Sequence, residues 1–264
     1  MNIFRYVLPA CIFIGAALPL KLRAADASAP APLFQPRTGT FRLLEPDAAG
    51  KDPVVFVWET DYDPDWFKPY TGAAAAYKDF TGWVKARIDT APMALLKRNR
   101  KLLKKEGKST KRYDLILGGK LGNIRPMNRI EGELFLMQLE RFGKPYEGEF
   151  LAFILRRADK LRIYGYETAK QTIKPGTIQR ELRKDCADKW EYYANLHNHP
   201  FQFSGKNAPT GELIPSGNPE DGDVQFYLAD SENLALQRAW ITNGFDTIEI
   251  RAGEFPALAA SPDR

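Results

Sequence analysis

A chain of 264 residues, 44% of them apolar, can bury one sizeable core, either as a single domain or as a domain with a small N-terminal partner. Its formal net charge of +5 is too small an excess to argue for nucleic acid from bulk charge. Of two cysteines, Cys11 falls in a segment that reads as a cleaved leader, so Cys186 alone permits neither an intrachain disulfide nor a cysteine-type zinc site.

The leader reading rests on Met1 to Arg5, an apolar run from Tyr6 to Leu20, and the small residues Ala24-Ala25-Asp26-Ala27. A charged start, an apolar middle and a small-residue end are the parts of a secretory signal peptide over residues 1–27, with cleavage near Ala24 or Ala27. The run is shorter than the ~20 apolar residues a spanning helix needs. A periplasmic or secreted protein without stable membrane insertion is therefore expected. Cleavage would leave a net charge of +3.

Residues 28–38, rich in proline and alanine, read as an extended linker. Thr40–Leu44 and Val54–Trp58 read as strands around a loop at Pro46–Pro53, Asp61–Pro69 as irregular, and Ala73–Arg87 as a helix. Leu95-Leu96 and Leu102-Leu103 share one helical face. Around them lies the most basic stretch of the chain, from Lys97 to Arg112; it reads first as a solvated face and second as a contact for an anionic surface. Tyr113–Leu117, Gly118-Gly119 and Lys120–Ile124 are predicted as a hairpin, followed by a helix over Asn128–Arg141. Glu149–Leu155 and Leu161–Tyr166 give a second hairpin, and Thr177–Lys189 a helix with Thr177 as N-cap. Tyr192–His197 is then a strand, Phe201–Glu220 a long Gly/Pro-rich loop, and Asp221–Gln237 a helix opening on acids. Arg238–Thr242, Asn243-Gly244 and Phe245–Ile250 form the clearest hairpin. Strands alternating with helices indicate the α/β (α+β) class. The division expected is a linker and small N-terminal region with the basic helix over 28–110, a main domain over 111–255, and a tail over 256–264.

His197 and His199 are the only histidines in the chain. Residues i and i+2 of a strand point to one face, so both imidazoles can reach one metal ion. An ordinary pair of edge-strand histidines is the plain alternative. Catalytic zinc sites use three protein ligands and leave a position for water, so the third ligand here should be a carboxylate from among Glu212, Glu220, Asp221 and Asp223. A water-activating base is also needed, and Glu149 is a carboxylate opening an apolar strand.

Glu149 on a strand, then His197-Asn198-His199-Pro200, then Pro215-Ser216, then an Asp opening a helix resembles the JAMM (MPN+, JAB-type) metalloprotease domain over roughly Arg129 to Ile250. That family carries a glutamate, later His-x-His-Pro, then Ser-x-x-Asp; His-Asn-His-Pro is the spelling of RadC-type bacterial members. The resemblance implies a central mixed β-sheet with flanking helices, a sandwich of the JAMM and cytidine-deaminase kind. It implies Zn²⁺ on His197, His199 and Asp223, Glu149 as general base, and Ser216 as oxyanion donor. The loop between His199 and Asp223 is longer than in the family, and Ser216 stands seven residues before Asp223 where the family places it three before. At that register stands Glu220, so either Ser216 reaches in or the serine is absent, and in the latter case the third ligand could be Asp221. The function implied is zinc-dependent hydrolysis of an amide or isopeptide bond in a peptide, a protein or a peptidoglycan-like cross-link. The alternatives are a non-catalytic metal-binding or scaffold protein of the same fold and a nucleic-acid-associated RadC-like protein, against which export argues. The His-x-Glu and Pro-Cys-x-x-Cys elements of zinc deaminases are missing.

Overall fold

Along the strand β4 (Glu149–Arg157), Phe150, Ala152 and Ile154 belong to one buried cluster and Leu151, Phe153 and Leu155 to another. A strand that is apolar on both faces has to be covered on both. The computed structural model, which describes residues 38–44, 52–144, 146–169, 176–203 and 208–261, has that architecture. Among the described residues β1 (Thr40–Leu43), β2 (Val54–Asp61), β3 (Asn123–Pro126), β4, β5 (Lys160–Thr168), β6 (Glu191–Asn198), β7 (Arg238–Thr242) and β8 (Asp246–Arg251) form one sheet in the order β1-β2-β5-β4-β6-β7-β8-β3. Every neighbouring pair is antiparallel except β6 and β7. The helices are α1 (Ala75–Lys85), α2 (Pro92–Lys105), α3 (Lys111–Leu117), α4 (Arg129–Phe142), α5 (Gly176–Ala187), α6 (Gly222–Leu234) and α7 (Phe255–Ala259). The fold is thus α/β (α+β), a mixed sheet flanked by helices.

Phe80 and Val84 of α1 and Ile130 and Leu134 of α4 cover one face of the sheet. Ile116 of α3, Ile178 and Leu182 of α5, Val224 and Tyr227 of α6 and Leu258 of α7 cover the other. In α2, Leu95 joins the first cluster and Leu96 the second. The start of α4 is held by a capping box in which the Asn128 side chain accepts from Glu131 N at 3.0 Å and Glu131 accepts from Asn128 N at 2.5 Å. Arg125 then grips both oxygens of the fully buried Glu131 at 2.8 Å. A charge buried in this way is tolerable because it is paired and saturated with donors.

Two features position the functional site. The register between β4 and β6 shifts between Ile154 and Leu155, so that Tyr192 faces the α6 side while Ala194 and Leu196 face the other. A bulge of this kind resets which face a strand's residues take. It leaves His197 on the face that α6 covers. Parallel strands also require a crossover, which here runs from the C-terminal end of β6 through a loop and α6 to β7. The N-terminus of α6 therefore returns to the strand end that carries the histidines. Ligand sites form at this end of parallel strands in open α/β sheets.

Several expectations are corrected. Residues 113–124 are not a hairpin: Arg112, Tyr113 and Ile116 are buried at helical spacing in α3, and Gly118 ends that helix. β3 pairs instead with β8, from Asn123↔Glu249 to Pro126↔Asp246. No boundary at residue 110 divides the described chain into two bodies, since β2 pairs with β5 along its whole length and the described residues form one compact unit. Part of the expected tail is helix, with Leu258 of α7 fully buried. Within Asp61–Pro69, Pro64–Phe67 is a turn of 3-10 helix. The Asn243-Gly244 hairpin is present; Gly244 (φ +87) and Phe245 lie between Asn243 N and Asp246 O, which bond at 3.2 Å. The leader at 1–27, residues 28–37 of the linker, most of the Pro46–Pro53 loop and the Thr177 side chain lie outside the described residues. No helix among the described residues is long and apolar enough to cross a membrane.

Candidate metal centre

His197 is the penultimate residue of β6, and His199 extends the strand by one more parallel bond, from His199 N to Thr242 O at 2.9 Å. Extended backbone on both sides of Asn198 puts the two imidazoles on one side. Their Nε2 atoms lie 3.1 Å apart. Asp223, in the first turn of α6, brings Oδ2 to 3.4 Å from His197 Nε2 and 3.6 Å from His199 Nε2. Among the described residues these three form the one group of metal-ligating side chains, all within 4.8 Å, and they could hold a metal ion.

Three observations fit the group to a cation. Bonds of about 2.0–2.1 Å to a tetrahedral ion set its ligand atoms about 3.3 Å apart, which the spacings above bracket. The donor set, two imidazole nitrogens and one carboxylate oxygen, is one that zinc accepts. Both rings are also anchored through their remote nitrogens. His199 Nδ1 sits 3.1 Å from the carbonyl oxygen of Glu212; a carbonyl only accepts, so Nδ1 carries a proton and Nε2 faces the cluster. His197 Nδ1 sits 3.2 Å from the hydroxyl of Tyr227, a fully buried residue one helical turn beyond Asp223 on α6. Such outer contacts fix ring orientation and tautomer in metal sites.

The carboxylate is held from the loop. Ser216 donates to Asp223 Oδ2 twice, from its backbone N at 2.7 Å and from Oγ at 2.8 Å. The turn between them brings two glycine backbones together: a Cβ on Gly217 (φ +80) would stand 2.2 Å from Asp221 O, and one on Gly222 (φ +68) 2.8 Å from Gly217 Cα. Only glycine fits either position. Further straps come from outside the loop. Buried Asn99 of α2 donates to Thr210 O at 2.9 Å and accepts from Thr210 N at 3.4 Å. Arg112 of α3 donates to Pro215 O at 2.9 Å, and Asn243 to Gly211 O at 3.1 Å.

Glu149 opens β4 beside β6, close enough for the charges of His199 and Asp223 to act on it. Burial pushes its carboxyl from the ordinary 4.5 up to about 7, against the pull of His199 and with Asp223 adding to the rise. A carboxylate with that value is matched to proton transfer near neutral pH. Burial disfavours charge on Asp223, yet His197 and the hydrogen bonds of both histidines hold it well below the usual carboxylate range. Burial likewise opposes a proton on His199, and the hydrogen bond and charge of Asp223 outweigh it.

The structure thus brings together Glu149, His197, His199, Asp223 and Ser216. It leaves Asp221 as the N-cap residue of α6, with Oδ1 accepting from Asn218 N at 3.0 Å, and Glu220 exposed at the adjacent turn. Glu212 contributes its backbone oxygen and receives the Tyr113 hydroxyl on its carboxylate. Ser216 Oγ is directed at the Asp223 carboxylate. Two residues that act directly on the site's residues escaped sequence reasoning. Tyr227 looks like one more core aromatic at helical spacing. Asn198, between the histidines, accepts from Phe150 N at 2.6 Å and donates to Gly148 O at 3.1 Å, clamping the peptide groups on either side of Glu149. Its place inside His-Asn-His was the available signal, because the middle residue must face the opposite side. Comparison with protein-family models, with curated proteins and with solved structures finds no match for this chain.

Proposed function

We propose that the protein is an exported zinc-dependent hydrolase, JAMM-like in its site, that cleaves an amide or isopeptide bond in a peptide or cell-wall cross-link. The observation that supports this reading best is the convergence of His197 Nε2, His199 Nε2 and Asp223 Oδ2 near Glu149, a carboxylate on the neighbouring strand whose proton affinity burial raises. Zinc bound there supplies a Lewis acid for the scissile carbonyl and lowers the pKa of water. His197, His199 and Asp223 hold the ion, with Tyr227, Glu212 O and Ser216 orienting them. Glu149 takes a proton from the attacking water and returns it to the leaving amine, which is the work of a general base turned acid. Asn198 keeps Glu149 in place by its two backbone bonds.

Ser216 spends its hydroxyl on Asp223, and this favours a second reading, a metal-binding protein without catalysis. Metal analysis of the purified protein beside a His197→Ala variant tests the shared part of both. One equivalent of zinc in the parent and little in the variant supports the site, whereas equal zinc in both refutes it. Hydrolysis of isopeptide-linked and peptidoglycan-derived peptides by the zinc-loaded protein separates the two readings.

A further inference from the structure

The basic stretch from Lys97 to Arg112 is not one uniform face. Its arginines are drawn into the fold: Arg98 donates to Asn99 and to Ala208 O, Arg100 pairs with Asp114, and Arg112 is buried against Pro215 O and Leu258 O. Its lysines point outward. On α2, Lys97, Lys101, Lys104 and Lys105 are exposed; among the described residues none of them makes an ion pair, and Asp114, which Arg100 engages, acts on Lys104 only from a distance. Met93, Lys97, Lys101 and Lys104 follow one another at four, four and three residues, so they share one stripe of the helix. Met93, 44% exposed, is the exposed large hydrophobic among the described residues. The opposite side of α2 buries Leu95, Leu96 and Asn99.

We propose that this stripe of α2 is a docking surface for an anionic lipid bilayer. Lysine is a point charge on a flexible stem, suited to a fluid layer of headgroup phosphates, whereas bidentate phosphate reading falls to arginine, and the arginines here are engaged within the fold. Binding single-stranded nucleic acid also uses stacked aromatics, and residues 92–111 contain none. A methionine on the lysine stripe adds an apolar contact that hydrocarbon can accept and a phosphate backbone cannot. Arg98 and Asn99, on other faces of the same helix, hold the loop that carries Ser216. The inference stands on α2 alone and does not depend on the metal centre.

The test is co-sedimentation of the full chain with vesicles of phosphatidylcholine alone and of phosphatidylcholine mixed with phosphatidylglycerol. Any binding by the apolar run at residues 6–20 is common to all variants. A variant with Lys97, Lys101, Lys104 and Lys105 changed to Gln is compared with one of equal net charge, in which Lys78, Lys120, Lys144 and Lys189 are changed to Gln. Each lysine near an anionic surface is worth roughly five-fold in partitioning, so the α2 variant should lose tenfold or more on anionic vesicles while the control stays near the parent. Added salt should weaken parental binding, and Met93→Ser should cause a smaller loss that salt does not alter. Equal behaviour of the two lysine variants would overturn the proposal. So would an unchanged Met93→Ser protein, or tighter binding of the parent to duplex DNA than to anionic vesicles at one salt concentration.

Discussion

His197 and Asp223 end 3.4 Å apart but are held there by different means. The histidine side belongs to the sheet: β6 is paired on both edges, its bulge sets the facing of His197, and fully buried Leu196 packs the opposite face. The acid side belongs to a crossover loop, held by Asn99, Arg112 and Asn243 donating to its backbone carbonyls and by Ser216 donating to the Asp223 carboxylate. Damage on the strand side should therefore appear as lost folding, and damage on the loop side as lost metal in a protein that still folds. Glu149, the base we propose, belongs with the strands, yet the task proposed for it is chemical.

The largest expected effect tests that distinction at Glu149. Glu149→Gln should keep its zinc and lower kcat by roughly 10²–10⁴, the usual share of a general base. In the metal-free protein the folded-state pKa of about 7 exceeds the ordinary 4.5, so the folded form holds more protons between those values. Its share of stability should then fall as pH rises from about 4.5 to 7, and Glu149→Gln should show a shallower slope there, the remainder coming from Glu167, Asp230 and Asp246, whose carboxyls burial also raises. Zinc binding, by placing a cation nearby, should pull the Glu149 pKa below 7, which a carboxyl titration by NMR with and without metal would register.

Leu196→Ala sharpens the strand side. Emptying a fully buried leucine costs about 2–5 kcal/mol, and the metal affinity of the fraction that still folds should change little. Asn99→Ala is its counterpart on the loop side. Losing both bonds to Thr210 leaves buried polar groups unmet at a cost of about 1–3 kcal/mol, and zinc affinity should fall along with stability. If Asn99→Ala loosened the fold but left zinc affinity untouched, the contrast between the two sides would collapse.

Much of the strand side was legible in the sequence, and little of the loop side was. His-x-His on an extended segment needs only the two-residue period of a strand to put two imidazoles on one side. An Asp at a helix start and a carboxylate opening an apolar strand are local signals of the same kind. The Lys111–Leu117 helix was misread because Tyr, Ile and Leu suit either element, and only the burial of Arg112, Tyr113 and Ile116 against α7 and the loop decides it. Asn99 and Arg112 lay hidden in a basic run; what singles them out is contact with Thr210 and Pro215, more than a hundred positions away. Tyr227 was invisible for a related reason, since a ring in the core and a hydroxyl on a ligand are the same residue in a sequence. Tyr227→Phe removes the hydroxyl alone, and zinc affinity should fall roughly 10- to 100-fold with the fold intact, the usual effect of losing an outer contact.

Ser216→Ala should have the smallest effect, and its form matters more than its size. As an oxyanion donor, the hydroxyl would be needed only in the transition state, and its loss would lower kcat by roughly 10²–10³ with zinc affinity unchanged. The geometry predicts the reverse. Oγ is 2.8 Å from Asp223 Oδ2, the oxygen that also faces both imidazoles, and the backbone N of Ser216 remains to hold that oxygen when the hydroxyl is gone. Zinc affinity should therefore drop by about tenfold or less, at the low end for an outer contact, while kcat at saturating zinc stays near the parent. Kinetics of Ser216→Ala across a zinc titration separate the two roles. A large loss of kcat that added zinc does not restore would move Ser216 from holding the ligand to acting on the substrate.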